Sequence, residues 1–339
     1  MINVKNSSFN DILNFISNNP FKWVVTGASG FIGSNIVEIL LDNNQSVVGV
    51  DNHSTGKESN ILNFLENDNF TFINNDLSSI EEIKLIIDSQ DFMLHQAALG
   101  SVPRSIKEPL LFHNNNIGSH LNILEASNTT SIKGIVYASS SSVYGDDEVF
   151  PKKEDSIGNV LSPYALTKKI NEEYAKVYYK IYQVSSIGLR YFNVFGKRQD
   201  PDGQYAAVIP KWISAVNENN DVNVNGDGSI SRDFCYINNV IEMNIRSALI
   251  QLESRQCDIF NVACGKNISL NQLLNYIKKE FDLKNKSYSG NINYLPPRQG
   301  DIQDSLADID KAINILGYSP DTDFEKSLNK TISWYLENG

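Results

Sequence analysis

The sequence predicts an α/β fold, a doubly wound and mostly parallel sheet with helices on both faces and a smaller C-terminal α/β lobe. Three observations predict it. Short apolar runs alternate with helical patterns through the first half of the chain. A glycine-rich turn joins the first such strand to the helix after it. Beyond residue 190 the segments shorten, with turn clusters at Pro201-Asp202-Gly203 and Asn225-Gly226-Asp227-Gly228. A chain of 339 residues has the length of two domains, placed here at 1–190 and 191–339.

Taken in order, Ser8 followed by Asp11 predicts a capped short helix over 8–19. Trp23-Val24-Val25 reads as a buried strand, and Ile32, Ile36, Ile39 and Leu40 share one face of the next helix. Further strands are expected at 47–51, 70–73, 92–95 and 134–138. Ser162-Pro163 supplies an N-cap serine and a proline at the first helical position, and no glycine or proline interrupts 164–182. A long helix starts there.

Composition narrows the function. Hydrophobic residues make up 41% and charged residues 20% of the chain, which is globular composition. A net charge of −11 argues against nucleic acid or an anionic membrane as partner, so any phosphate must be held locally. Cys235, Cys257 and Cys264 are odd in number and lack C-x-x-C spacing, which indicates neither a disulfide framework nor a zinc site and suits a reducing compartment. His53, His95, His113 and His120 match no metal or catalytic template, and no metal is expected. The uncharged stretch 23–37 is broken by polar residues and falls short of a membrane span, and the N-terminus lacks the apolar core of a signal peptide. The many asparagines read as genomic base composition rather than function.

Gly27-Ala28-Ser29-Gly30-Phe31-Ile32-Gly33 spaces three glycines as G-x-x-G-x-x-G between a strand and a helix. Bare glycines let backbone approach a pyrophosphate, and the helix N-terminus supplies free N–H donors. Asp51 ends the second strand 18 residues after Gly33, where a carboxylate accepts from ribose hydroxyls and repels a 2′-phosphate. That favours NAD over NADP, although a solvated turn aspartate is the plainer reading of Asp51 alone. Asp76, Leu77, Gln96, Ala97 and Ala98 follow the next two strands and should border the same cleft.

Tyr164 and Lys168 stand at i and i+4 on one helix face, and a serine run, Ser139 to Ser142, ends the preceding strand. Alone, such a pair is also an ordinary surface motif. To act as a base near neutrality a tyrosine with a pKa of about 10 must come down by about 3 units, or about 4 kcal/mol. A unit charge about 5.5 Å away at an effective dielectric of about 20 contributes about 3 kcal/mol. The Lys168 ammonium and an oxidised nicotinamide suffice together, so the pair needs its cofactor.

The glycine turn, Asp51, the serine run with Val143-Tyr144-Gly145, Tyr164-x-x-x-Lys168 and Arg190-Tyr191-Phe192-Asn193-Val194 resemble the extended short-chain dehydrogenase/reductase superfamily. Within it the chain is most similar to the UDP-hexose 4-epimerases, from about residue 22 almost to the C-terminus. The resemblance implies a Rossmann-type domain with tightly held NAD, reduced and reoxidised in each turnover. It makes Tyr164 the acid/base, puts Lys168 on the nicotinamide ribose and Ser140 beside the tyrosine, and adds Tyr191 to the cofactor contacts. It assigns Arg232, Arg298 and Asp301 to the diphosphate and uridine ribose, and Asn193, Ala207, Val208 and Trp212 to the pocket wall. From physics alone each arginine reads more often as a surface ion pair, and Trp212 equally as plain core.

Relatives that dehydrate or decarboxylate nucleotide sugars carry acids just after the catalytic hydroxyl, where this chain has Ser141 and Ser142. Serines cannot supply the acid and base that elimination needs, so the run favours 4-epimerisation through a transient 4-keto sugar. Ser305, four residues after Asp301, is small where glucose-restricted epimerases resemble one another in a tyrosine. The run Gly100-Ser101-Val102-Pro103-Arg104-Ser105 also resembles the group that handles N-acetylhexosamines, and with Ser305 this resemblance implies UDP-N-acetylglucosamine and UDP-N-acetylgalactosamine as substrates, with their uronic acids as a further expectation. A dehydratase or decarboxylase of the same superfamily, and a non-catalytic NAD-binding redox sensor, are the alternatives. The resemblance also implies a homodimer joined by two helices per subunit, one of them carrying Tyr164, and the reducing compartment that suits the cysteines is expected to be the cytoplasm.

Overall fold

A computed structural model describes residues 2–202, 206–297 and 304–338. Helix α1 (Phe9–Asn18) starts at Ser8, whose side chain accepts from the Asp11 N–H while Asp11 accepts from the Ser8 N–H, a reciprocal capping box. The central units follow as β1 (Lys22–Thr26), α2 (Phe31–Asp42), β2 (Ser46–Asp51), β3 (Phe70–Asn74), α3 (Ile80–Ile87) and β4 (Phe92–His95). Next come α4 (Val102–Lys107), α5 (Pro109–Phe112), a π-helical turn at His113–Ile117, α6 (Gly118–Ser127), β5 (Gly134–Ser140), α7 (Pro163–Tyr182) and β6 (Ser186–Tyr191). Beyond them lie β7 (Val194–Phe195), α8 (Val208–Asn217), β8 (Val222–Asn225), β9 (Ser231–Arg232), β10 (Cys235–Tyr236), α9 (Ile237–Ile250) and β11 (Cys257–Val262). The chain ends through β12 (Ile268–Ser269), α10 (Leu270–Leu283), β13 (Ile292–Leu295), β14 (Asp304–Ser305), α11 (Asp310–Leu316) and α12 (Phe324–Asn338).

Seven strands form one parallel sheet in the order β11-β6-β5-β4-β1-β2-β3. Alternation along each strand splits the core in two. Trp23, Val25, Phe92, Leu94 and Val136 pack with α2 and α9, whereas Val24, Met93 and Ile135 pack with Ile83, Ile87, Ile123 and Leu124 from α3 and α6. Strand order reverses between β1 and β4, which opens a crevice at their carboxyl ends.

The division placed at residue 190 separates the two regions only in part. Helix α9 packs against β4, β5 and β6, and β11 pairs with β6 from Cys257–Ser186 to Val262–Tyr191, so the sheet draws its seventh strand from the second half. Strand pairing across 70 residues leaves no local trace in a sequence. The rest of that half is a lobe of α8, α10, α12 and short strand groups β8–β13, β12–β9–β14 and β7–β10. No helix among the described residues is long and apolar enough to cross a membrane.

Candidate active site

The glycine turn bends as its spacing demands. Gly27 has φ +67°, and a Cβ there would stand 2.8 Å from the Ala97 nitrogen. A Cβ on Gly33 would come within 2.0 Å of the Gly27 carbonyl oxygen, so only a bare backbone lets α2 start this close to β1. Asp51 ties the turn to β2: its Oδ2 accepts from Ser29 N at 3.0 Å and its Oδ1 from His53 N at 2.7 Å.

These elements frame a cavity of about 350 Å³ at the switch point. Gly27, Gly30, Phe31, Ile32, Gly33, Asp51, Asp76, Leu77, Gln96, Ala97 and Ala98, all assigned to the cofactor from sequence, line it. Residues the sequence did not single out complete it, among them Asn115, Arg198 and the pair Lys57–Asp200, bridged at 2.9 Å. Tyr164 and Lys168, also given to the cofactor from sequence, do not border this cavity, and nor does Tyr191. Its hydroxyl donates to Gln96 Oε1 at 2.9 Å and accepts from Asn244 Nδ2 at 2.9 Å, so it bears on the cavity through Gln96.

Tyr164, Lys168 and Ser140 meet where β5 ends against the first turns of α7. Helix α7 is capped by Ser162, whose side chain accepts from Ala165 N at 3.1 Å. Ser140 Oγ accepts from both the backbone N–H of Ser142 (3.2 Å) and its hydroxyl (2.9 Å). Ser140 also hydrogen-bonds the Tyr164 phenol. Burial holds the phenol above its usual pKa, and the Ser140 bond is the opposing influence. The lowering expected from two cations is therefore not supplied by the protein alone. Lys168 Nζ lies 5.9 Å from the Tyr164 ring centroid and donates to Ala138 O at 2.8 Å. Burial brings its pKa down to about 8, with the Glu172 carboxylate pulling the other way.

Asn116 contradicts the reading of the asparagines as mere composition. From the π-helical turn its Oδ1 accepts from Leu99 N at 2.8 Å, while its Nδ2 donates to Leu99 O at 3.1 Å and Thr167 Oγ1 at 3.2 Å. It joins the cavity-lining loop after β4 to the helix of Tyr164. The extra residue of a π-turn is what turns this side chain inward. Ser101, just upstream of α4, has φ +114° and accepts from Arg104 N at 3.2 Å; it lines neither this cavity nor the one in the C-terminal lobe described next.

A second cavity of about 250 Å³ sits in the C-terminal lobe, lined by Asn193, Val208, Trp212 and Arg232 as expected and also by Lys211, Asn223, Asn225 and Phe234. Ala207 is instead the exposed cap residue of α8, and its neighbours Ala206 and Val208 face the cavity. Trp212 is nearly buried and donates to Asn223 O at 3.2 Å, so it serves core and wall together. Ser305 pairs with Arg232 across β14–β9. Ser141 and Ser142 form a short turn after β5. Arg298 and Asp301 lie outside the described residues.

A glycine-rich cradle at the switch point, a serine–tyrosine–lysine set on β5 and α7 and an arginine-bearing cavity in the C-terminal lobe are together suited to oxidoreductive chemistry on a nucleotide-linked substrate. Comparison bears on the class directly. Residues 23–263 match the model of the NAD dependent epimerase/dehydratase family, and the chain belongs to that family. A putative UDP-glucose 4-epimerase of Methanocaldococcus jannaschii is 35% identical over 93% of this chain and 98% of its own. Among solved structures, UDP-N-acetylglucosamine 4-epimerase from Methanobrevibacter ruminantium, in complex with UDP-N-acetylmuramic acid, is 39% identical with TM-score 0.87 over 94% of this chain and 99% of its own. UDP-glucuronic acid 4-epimerase from Bacillus cereus, bound to UDP-glucuronic acid and NAD, is 30% identical with TM-score 0.81, covering 93% and 99%. NAD is the cofactor of this family, and the residues fit it: a bare-backbone turn at a helix N-terminus and a carboxylate at the end of β2.

Proposed function

We propose that the protein is a UDP-sugar 4-epimerase that interconverts UDP-N-acetylglucosamine and UDP-N-acetylgalactosamine. One observation carries the reaction class: around the Tyr164 phenol the described residues supply hydroxyls from Ser140 and Ser142 and the cation of Lys168, but no hydrogen-bonded carboxylate. Such a set moves one proton on and off a sugar hydroxyl and cannot also drive elimination. NAD, when bound along Gly27, Gly33 and Asp51, supplies the hydride acceptor and donor.

In this reading Tyr164 takes the proton of the sugar 4-OH and returns it to the same oxygen after the 4-keto sugar has turned its opposite face to the cofactor. Ser140 hydrogen-bonds the reacting oxygen, and Lys168 contributes positive charge below the phenol. Arg232, with Arg298 and Asp301, grips the diphosphate and ribose, while Ser141 and Ser142 touch the hexose loosely enough for the 4-keto sugar to turn over. The small Ser305 beside Arg232 leaves room for a 2-acetamido group. The similarity to a UDP-N-acetylglucosamine 4-epimerase supports the amino sugar, and that to a UDP-glucuronic acid 4-epimerase makes uronic acids the second substrates to test. Leu166, Val177 and Ile181 of α7 and Leu110 of α5 are exposed apolar residues suited to pairing two such chains into a homodimer.

The test incubates purified protein without added cofactor with UDP-N-acetylglucosamine, UDP-glucose and UDP-glucuronic acid separately, following C4 inversion by NMR. Inversion of the acetamido sugar is expected to be fastest. Release of water or carbon dioxide, or no turnover of any of the three, refutes the reading.

A further inference from the structure

Lys168 is 3% exposed, and an ammonium so deeply buried needs a counter-charge to stay protonated. The groups that face it come from five elements. His95 on β4 and His120 on α6 are both uncharged, pushed down by burial first, then for His95 by the other ring and for both by Lys168 itself. Tyr137 on β5 is buried and held neutral. From α7 come Tyr164 and Glu172, and Arg190 stands behind on β6. Glu172 is the one anion of this set.

Its carboxylate is fixed from two strands. Oε1 accepts from Ser139 Oγ at 2.6 Å and from Arg190 Nε at 2.9 Å, and Oε2 accepts from an Arg190 NH at 2.8 Å. The ion pair is fully buried, with side-chain exposures of 2% and 1%. Glu172 follows Lys168 by four residues, and Ser139 directly precedes Ser140. The clamp thus grips the end of the strand and the turn of the helix that carry the reacting set. We infer that Glu172 is a positioning residue for the reaction: its carboxylate, locked by Ser139 and Arg190, keeps the Lys168 side chain charged and aimed beneath Tyr164.

This rests on the role given to Lys168 above, and the test separates the two. Glu172→Gln and Arg190→Gln both break the ion pair, so a merely structural pair makes them behave alike. As a counter-charge, Glu172 makes them differ. Glu172→Gln is expected to move the alkaline limb of the kcat profile of the NAD-loaded enzyme down by about one pH unit. It loses about tenfold in kcat at pH 9 and less than about threefold at pH 7, with KM for the UDP-sugar within about twofold. Arg190→Gln is expected to leave the limb in place or raise it. Glu172→Asp, which keeps the charge, should restore the limb even with a lower Tm. Should the lone buried arginine unfold Glu172→Gln, the paired variant Glu172→Gln/Arg190→Gln removes that unpaired guanidinium, and its limb should lie below that of Arg190→Gln alone. An alkaline limb in Glu172→Gln identical to wild type, or in the paired variant identical to Arg190→Gln, overturns the inference. Lys168→Met that retains the wild-type limb overturns the role of Lys168 itself, and the inference with it.

Discussion

Replacing Ser140 by alanine tests the proton chemistry most directly. The Ser140 hydroxyl accepts two hydrogen bonds from Ser142, and its own hydrogen bond to the Tyr164 phenol is the one influence opposing burial there. A hydrogen bond to a charged oxygen is worth about 1.5–3 kcal/mol, which corresponds to about one to two pKa units on the phenol. At a pH below that pKa each unit removes about tenfold of the phenolate, so kcat near pH 7 should fall about 10- to 100-fold. The acid limb of the profile should move up by the same one to two units, and much of the loss should be recovered near pH 9. Ser142→Ala, which frees one Ser140 lone pair but leaves the serine present, should cost only a few-fold. The assay is C4 inversion of UDP-N-acetylglucosamine by NMR from pH 6 to 10. A Ser140→Ala profile lowered equally at every pH, with its acid limb unmoved, refutes the idea that Ser140 tunes Tyr164.

Three further outcomes are expected. Gly33→Ala puts a Cβ 2.0 Å from the Gly27 carbonyl and should cost several degrees of Tm and release NAD, read from the cofactor absorbance of the purified protein. Ser305→Tyr should lose turnover of the acetamido sugar before that of UDP-glucose; an unchanged ratio of the two kcat/KM values removes Ser305 as the gate. Lys168 has a folded pKa of about 8 against an ordinary 10.5, so the folded state binds this proton less tightly than the unfolded chain does. That depresses stability by up to about 3 kcal/mol below pH 8, a cost relieved as pH rises from 8 to 10.5. Lys168→Met in the cofactor-free protein should therefore resist urea better than wild type at pH 7, with the advantage gone above about pH 10; a variant less stable at pH 7 contradicts the sign.

How far the sequence could be read depended on how local each signal was. The glycine turn, the cap at Ser162 and the Tyr164–Lys168 spacing act within one or two turns of chain, and each stands where its spacing placed it. Asp51 and Gln96 were legible because position at a strand end is itself local information. The clamp on Glu172 was not. It needs Ser139 on one strand and Arg190 on another, and nothing in a run such as Lys169-Ile170-Asn171-Glu172 tells a buried carboxylate from a solvated one.

Asn116 failed for a related reason. An asparagine inside a helix is ordinarily neutral or unfavourable, and only the π-turn, itself unannounced by composition, turns this one toward Leu99 and Thr167. The same logic explains the boundary at residue 190. A strand that rejoins the sheet 71 positions later, as Cys257 does opposite Ser186 of β6 after the chain has passed through the lobe, carries the same apolar pattern as one that stays in its own lobe. Motifs therefore locate the chemistry, whereas the charges that tune it, Glu172 against Lys168 foremost, become visible only once the sheet has brought distant strands together.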